Sequence, residues 1–288
     1  MRLNKKEIYF LILSNALLNI HDFFRDRGLM FVDTSVVQKK YTDHLTHTIY
    51  FGKNNSLFLT PSNSLKLSAL SCIYGNVYTI THAFRDDLND SKHLSEFHLL
   101  EAEWKCNQLM DIYELLYSLV NFLIDKFNDY IEKLNFRDIK KKQSFTSKFI
   151  NFDYEVLKKM FVTNGNCVDE ITDFLASKTV KPSFLGNLPQ SNSWRAKPGL
   201  SANLIFPHIG EVAEISIKET SYDFYMTKFT YLNFADEMKW FLDCIKENNE
   251  ERGGFGFGID RFVMWLLDID EIDQLSFFAK EGEFYECL

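Results

Sequence analysis

The stretch Gly253-Gly254-Phe255-Gly256-Phe257-Gly258-Ile259-Asp260-Arg261 decides how this chain folds. Glycines at 254, 256 and 258 fall on alternate positions, so on a strand they strip one face of side chains. A flat ligand can then lie against the backbone. Arg261 opens a predicted buried helix that runs through Leu267, and the amides at such a helix start add positive potential. The block is not a P-loop, because no Gly-Lys-Ser/Thr follows, and it lacks the G-x-G-x-x-G spacing of dinucleotide binding.

A second informative stretch lies far upstream: Phe84-Arg85-Asp86-Asp87 through Lys92-His93-Leu94-Ser95-Glu96-Phe97. Val77 to Phe84 and Glu96 to Trp104 read as two antiparallel strands joined by a long polar loop. Alternation places Phe97, Leu99, Glu101 and Glu103 on one face of the second strand. Arg85 closes the first strand, and its planar fork suits a phosphate. Phe97 offers a flat surface for a purine. Two inward carboxylates need a cation, a metal or a substrate amine; an internal salt bridge from Glu101 or Glu103 to Arg85 or Arg261 is the plain alternative. Arginines from opposite ends of the chain, with an aromatic and several carboxylates, can together hold a triphosphate, its metal ions and a base.

Around these stretches the pattern is mixed. Ile8, Leu11, Ile12, Ile20, Phe23 and Phe24 predict a helix over 4–27, stopped at Gly28. Leu29 to Val37 and Leu57 to Thr60 read as strands, and 64–73 as a short helix. Asp111 is placed to cap a helix carrying Ile112, Leu115, Leu116, Leu119, Leu123, Phe127, Ile131 and Leu134. Residues 135–200 are the least readable, with a helix at 153–161 and a Lys140-Lys141-Lys142 run read as a solvated face. Leu204 to Phe206 and Val212 to Lys218 read as strands, and Phe234 to Glu247 as a helix. The expected class is α+β, an antiparallel sheet flanked by helices, as a single domain over 1–288 with 135–200 its variable segment.

Composition narrows the partners. A net charge of -8 argues against a broad nucleic-acid footprint, which needs clustered Lys and Arg. Cys72, Cys106, Cys167, Cys244 and Cys287 are scattered with no C-x-x-C pair. That reads as reduced thiols in a cytoplasmic protein rather than a disulfide frame or zinc site. The apolar run Ile8 to Leu13 is too short for a membrane span.

Together the two stretches resemble motifs 2 and 3 of the class II aminoacyl-tRNA synthetases. The hairpin is similar to F-R-x-E … R/K-H-x-x-E-F, and the glycine block to G-x-G-x-G-[ED]-R. Within that family the asparaginyl, aspartyl and lysyl subclass fits best, asparaginyl above all. Glu101-Ala102-Glu103 resembles its E-P-E, and Pro207-His208-Ile209-Gly210-Glu211-Val212 its P-x-[IV]-G-E-[IV]. Trp240 to Phe262 follows its W-Y-x-D … G-x-G-x-G-x-E-R-[FL] without a gap. A weak motif 1, which builds the family's dimer, is visible at Arg27 to Thr34.

The resemblance implies an antiparallel class II sheet, ATP and Mg2+ as cofactors, and a homodimer. It implies that Arg85 holds the α-phosphate and the attacked carboxylate, with Asp87 near the adenine. His93 then meets the terminal phosphates, Phe97 stacks on adenine, and Arg261 meets the γ-phosphate beside Gly258. Glu211 and Ser216 become the metal ligands. Ser62, Ser64, Glu101, Glu103, Glu214, Lys218 and Gly256 surround the amino acid.

Departures from the pattern cluster at the amino-acid end. Glu214-Ile215-Ser216 stands for the family's Gly-Gly-Ser, Ser64 for its Gln, and Lys218 for a substrate-facing Arg, losing the bidentate fork. Asn203 stands for a metal-binding Asp, and Ser35 for the motif 1 Pro. Gln38 to His47 replaces the usual Glu-Gly-Ala loop; His44 and His47 there are read as ordinary loop histidines. No OB-fold anticodon reader is expected ahead of motif 1. The expectation is an adenylate-forming ligase that activates an amino-acid carboxylate and transfers it to a small amine. The alternatives are a minimal synthetase charging tRNA or another carrier, and a non-catalytic nucleotide-binding regulator.

Overall fold

A computed structural model describes residues 4–38, 48–86, 93–136, 138–161, 167–190 and 194–272. The chain opens with helix α1 (Lys5–Arg25), and Asn4 and Glu7 form a reciprocal capping box at its start. Gly28 takes φ +73°, so the turn that ends the helix favours glycine. Short strands follow: β1 (Met30–Phe31), β2 (Val37–Gln38), β3 (Tyr50–Phe51) and β4 (Leu57–Leu59). Then come helix α2 (Ser64–Tyr74), strands β5 (Val77–Phe84) and β6 (Glu96–Lys105), and the long helix α3 (Leu109–Lys133). Next are β7 (Ile150–Asp153), α4 (Tyr154–Lys158), α5 (Cys167–Lys178) and β8 (Ser183–Gly186). The last third holds β9 (Ala196–Phe206), β10 (Gly210–Lys218), α6 (Tyr222–Tyr231), α7 (Lys239–Glu247), β11 (Arg252–Gly258) and α8 (Ile259–Leu267).

The strands form one eight-stranded sheet in the order β1-β5-β6-β11-β10-β9-β8-β7, and β2-β4-β3 form a second. The expected α+β architecture is what forms, mostly antiparallel; among the described residues only the outer pairs β1–β5 and β7–β8 run parallel. The glycine strand β11, the last of the described strands, therefore sits mid-sheet, between the hairpin strand β6 and β10.

Alternation on β6 divides the molecule into two layers. Leu100 and Ala102 join the main apolar core with α1, α3 and α8. Glu101 and Glu103, both buried, face the opposite layer, where α2 packs on β5 and β6. A separate apolar cluster of Val168, Ile171, Leu175, Leu185 and Ile205 anchors α5 on the sheet.

Several expectations need correction. The predicted strand over Leu29 to Val37 splits, because Met30–Phe31 pairs with β5 whereas Val37–Gln38 pairs with β4 in the other sheet. Asp111 lies in the first turn of α3, whose N-cap is Gln108. There it favours the helix dipole instead of capping. The helix at 234–247 begins only at Lys239, and α6 before it went unread. No helix among the described residues is long and apolar enough to cross a membrane.

A buried polar contact ties three distant segments. Asp260, in the first turn of α8, accepts hydrogen bonds from the Tyr9 hydroxyl of α1 and from the His98 backbone N–H at 2.6 Å. His98 Nδ1 lies 3.1 Å from the same carboxylate. Burial by itself would raise Asp260, but the hydrogen bond and charge of His98, with Tyr9, hold it below the usual carboxylate range. For His98, burial would lower the imidazole; the bond to Asp260 and its charge, with Glu96 adding, outweigh burial and raise it.

Two expected outcomes follow. A Cβ on Gly254 would meet the Ala102 carbonyl oxygen at 2.2 Å, whereas one on Gly256 meets nothing closer than 3.8 Å. Gly254→Ala should therefore destabilise by about 3 kcal/mol or more through overpacking, and Gly256→Ala by far less, as read from urea unfolding midpoints. Equal midpoints would show that β11 does not sit this close to β6. The second outcome concerns pH. His98 is raised, so its stabilisation is complete below about pH 6.5 and fades as pH rises through its folded value. Asp260 is lowered, so its share is present above about pH 3.9 and fades as pH falls through its folded value. Between about pH 6 and 9 the thermal midpoint of the parent should fall more steeply than that of His98→Gln. Parallel curves would remove the charged pair.

Candidate active site

One cavity of about 500 Å³ opens on the face of β6, β11 and β10 that the glycines leave bare. Arg85 and Arg261 both line it. Arg85 follows β5, where its Nε donates to the Pro61 carbonyl at 3.3 Å and its guanidinium carbon lies 5.3 Å from the Phe97 ring centre. Arg261 sits in the first turn of α8, and its Nη1 donates to the Glu211 carbonyl at 2.7 Å. The two guanidinium groups thus share one cleft although 176 positions separate Arg85 from Arg261 (261 − 85). His93 and Gly258 line the same end. Asp87, His44 and His47 lie outside the described residues.

Glu211 projects from β10 into this end, and its carboxylate also accepts from the Asn203 side-chain amide. Burial and then the nearby Glu214 raise its pKa to about 7, although Arg261 and Arg85 pull the other way; Asp169 adds to the rise. A carboxyl group perturbed in this manner inside a cleft marks a site where charge is managed.

The other end of the cavity takes its lining from Ser62, Ser64, Glu101, Glu214, Lys218 and Gly256. Glu101 accepts from Ser62 Oγ at 2.6 Å and from the Asn63 N–H at 2.8 Å. The register sets these groups in a row across the sheet, Glu214 opposite Gly256 and Gly256 opposite Glu101. Gly254, one row further on, is bare because β6 is too near, not because a ligand lies over it.

Two expected site residues are placed elsewhere. Glu103 is not among the lining residues; it accepts from Ser68 Oγ at 2.8 Å and Ser71 Oγ at 3.2 Å, under α2. Arg252 reaches the same Ser71 hydroxyl, at 3.2 Å. Ser216 is buried, and its hydroxyl accepts from Lys218 Nζ at 2.7 Å. An ammonium group at that distance repels a second cation, so Ser216 does not suit a metal here. Glu211 does suit one, since magnesium is often held by one or two carboxylates with substrate phosphates completing its shell.

Sequence reasoning missed Asp169, Thr172 and Asp173, which α5 brings to the cavity wall, and Trp194 and Arg195 just before β9. All five fall in 135–200. The spacing Val168, Ile171, Leu175 would have exposed α5. Nothing in the sequence around Arg195 marks it, because its place depends on the pairing of β9 with β10.

The family model for class II tRNA synthetases (D, K and N) matches residues 1–282. The probable mitochondrial asparagine–tRNA ligase of Dictyostelium discoideum is 26% identical, over 88% of this chain and 64% of its own length. The asparagine–tRNA ligase of Koribacter versatilis is 25% identical, over 90% of this chain and 65% of its own. The chain thus spans just under two thirds of these relatives. Among solved structures, the asparaginyl-tRNA synthetase of Pyrococcus horikoshii complexed with asparaginyl-adenylate superposes with a TM-score of 0.83 at 20% identity, covering 99% of this chain and 70% of that one. That likeness extends the fold assignment to the whole described sheet. With a family model matched almost from end to end, the chain belongs to the class II tRNA synthetases of the D, K and N type.

Proposed function

We propose that this chain activates the carboxylate of an amino acid with ATP, giving an aminoacyl-adenylate and pyrophosphate, and passes the acyl group to a tRNA hydroxyl with release of AMP. The observation that carries the first half is the convergence of Arg85 and Arg261 on one cavity beside Phe97. A carboxylate oxygen attacks the α-phosphorus, the new P–O bond forms, and the bond to the pyrophosphate oxygen breaks. Arg85 bridges the α-phosphate and the attacking carboxylate, so it meets charge from both reactants. Arg261, braced on the Glu211 carbonyl, takes the γ-phosphate, and His93 lies by the terminal phosphates. Phe97 stacks on the adenine. Glu211 would hold Mg2+, which supplies neutralisation of phosphate charge when bound. Such a site works by positioning and charge neutralisation, with no covalent nucleophile on the protein.

For the acceptor, the relatives at hand are asparagine–tRNA ligases, and this supports tRNA. The small-amine acceptor anticipated from the sequence finds no support among them. Dimer formation through β1 belongs to the same proposal: β1 ends the large sheet and leaves Met30 and Phe31 exposed, an edge that invites a partner.

ATP–pyrophosphate exchange tests the activation step. Arg85→Ala and Arg261→Ala should each lower exchange on the order of 10² to 10³-fold, with an unchanged thermal midpoint. Normal turnover in Arg85→Ala overturns the phosphate role. Phe97→Ala should weaken ATP binding in titration calorimetry by about tenfold, the loss of one stacking contact; unaltered affinity rejects the stack. Acid-gel detection of charged tRNA, run beside hydroxamate formation, decides the acceptor.

A further inference from the structure

One hydrogen-bonded contact joins the two segments that carry the ends of the nucleotide site. Phe97 and His98 are successive residues of β6, so the alternation that turns Phe97 into the cavity turns the His98 side chain to the opposite face. Asp260 and Arg261 are successive residues in the first turn of α8. The pairing of β6 with β11 ends at Leu99 opposite Gly258. One residue back along β6, the Asp260 carboxylate takes the His98 backbone N–H at 2.6 Å, and His98 Nδ1 lies 3.1 Å from its other oxygen. Phe97 and Arg261 are therefore each one peptide bond away from the same contact, and both line the cavity.

The groups around His98 make this contact firm. The Asp260 carboxyl is held below its usual range by His98 and Tyr9, so it stays ionised at neutral pH. An ionised carboxylate only accepts, and a hydrogen therefore sits on His98 Nδ1. The same Asp260 oxygen accepts from Tyr9 of α1. His82 of β5 stands directly across from His98, with ring centres 4.5 Å apart, and its own Nδ1 is 2.8 Å from Glu96. Asp260, Tyr9, His82 and Glu96 are thus the titratable groups that surround His98, from α8, α1, β5 and β6. Tyr9 ties the carboxylate to a helix that does not line the cavity, whereas His98 ties it to the strand that carries Phe97. The Glu211 carbonyl holds the guanidinium end of Arg261 at 2.7 Å, while Asp260 holds the backbone from which that side chain starts. The span from the Phe97 ring to Arg261 is thereby set at both ends of the arginine. An ATP that stacks on one and reaches the other must match that span, and small displacements of a positioned group are costly.

We propose that His98 is a positioning residue for ATP: through Asp260 it sets the span between Phe97 and Arg261, and so lets the site tell a nucleoside triphosphate from a monophosphate. The inference rests on the reading of Arg261 as the γ-phosphate ligand, and binding can be measured without turnover. The probes are ATP and AMP, each titrated calorimetrically into the full chain with excess Mg2+. The parent should bind ATP more tightly than AMP. His98→Ala keeps the backbone N–H and removes Nδ1. It should weaken ATP about tenfold, the low end for a hydrogen bond to a charged group, while AMP, which stops at the α-phosphate, stays within about threefold. His98→Asn, whose amide nitrogen can stand in for Nδ1, should restore part of the difference. If His98→Ala does not fold, Asp260→Asn, which keeps the side chain's size and loses its charge, carries the same expectation. A parent that binds both nucleotides alike, an equal loss of both in His98→Ala, or an unchanged ATP affinity there would overturn the proposal. Pyrophosphate exchange over the standard amino acids separates this role from the activating reading. A selective loss of ATP binding in His98→Ala, with no exchange by the parent, supports the role of His98 and removes the activation step. Exchange by the parent, with an unaltered ratio of ATP to AMP affinity in His98→Ala, removes the role of His98 and keeps the activation step.

Discussion

The architecture depends on a strand that carries no side chain on one face from Gly254 to Gly258. β11 lies between β6 and β10, and at Gly254 the neighbouring carbonyl of Ala102 occupies the place where a Cβ would stand. Such an approach holds β6 and β10 on either side of a bare strip of backbone. Glu101 and Glu214, which face each other across Gly256, then look onto an open floor instead of a filled row. A side chain in that strip would separate the strands or fill the cavity, so one backbone constraint fixes both the sheet and the vacancy above it.

The same strand delivers Arg261. Because β11 passes into α8 without a loop, Arg261 lies within the first turn, with Asp260 beside it fastened to Tyr9 and His98. A side chain as long as arginine loses much rotamer entropy when it is held in one place. The Glu211 carbonyl and the rigid helix start meet part of that cost before any ligand arrives. Preorganised charge of this kind favours a transition state more than a flexible cation can, because little reorganisation remains to be done.

Much of this was legible in the sequence, and the limit has a physical basis. Arg85, Phe97, Glu101 and the glycine strand were readable because period-two alternation fixes which side chains share a face once a strand is recognised. Glu103 obeys the same alternation and yet leaves the cavity, because α2 lays Ser68 and Ser71 over it; packing between elements is not written in either segment. Ser216 was lost in the same way, to Lys218, two residues along its own strand. Arg195 and the carboxylates of α5 belong to the segment with the weakest local pattern. Their positions come from pairing across the sheet and from docking of a short helix, both long-range properties of the fold.

The charges that line the cavity join these parts into one alternating series. Arg85 and Arg261 stand at one end, Arg195 and Lys218 at the other, and carboxylates from β6 and β10 lie between them. A polyanion entering from the first end finds cations within reach, but it also approaches Glu211, whose proton affinity is already raised by burial and by Glu214. Either a proton or a metal ion must offset that carboxylate when phosphate comes near, since like charges in a desolvated cleft repel strongly. The hydrogen bond from Asn203 is a dipole and not a charge, so it relieves this repulsion only in part. A proton or a cation on Glu211 would therefore let this end of the cavity accept a triphosphate at neutral pH, and neither needs a second carboxylate at position 203.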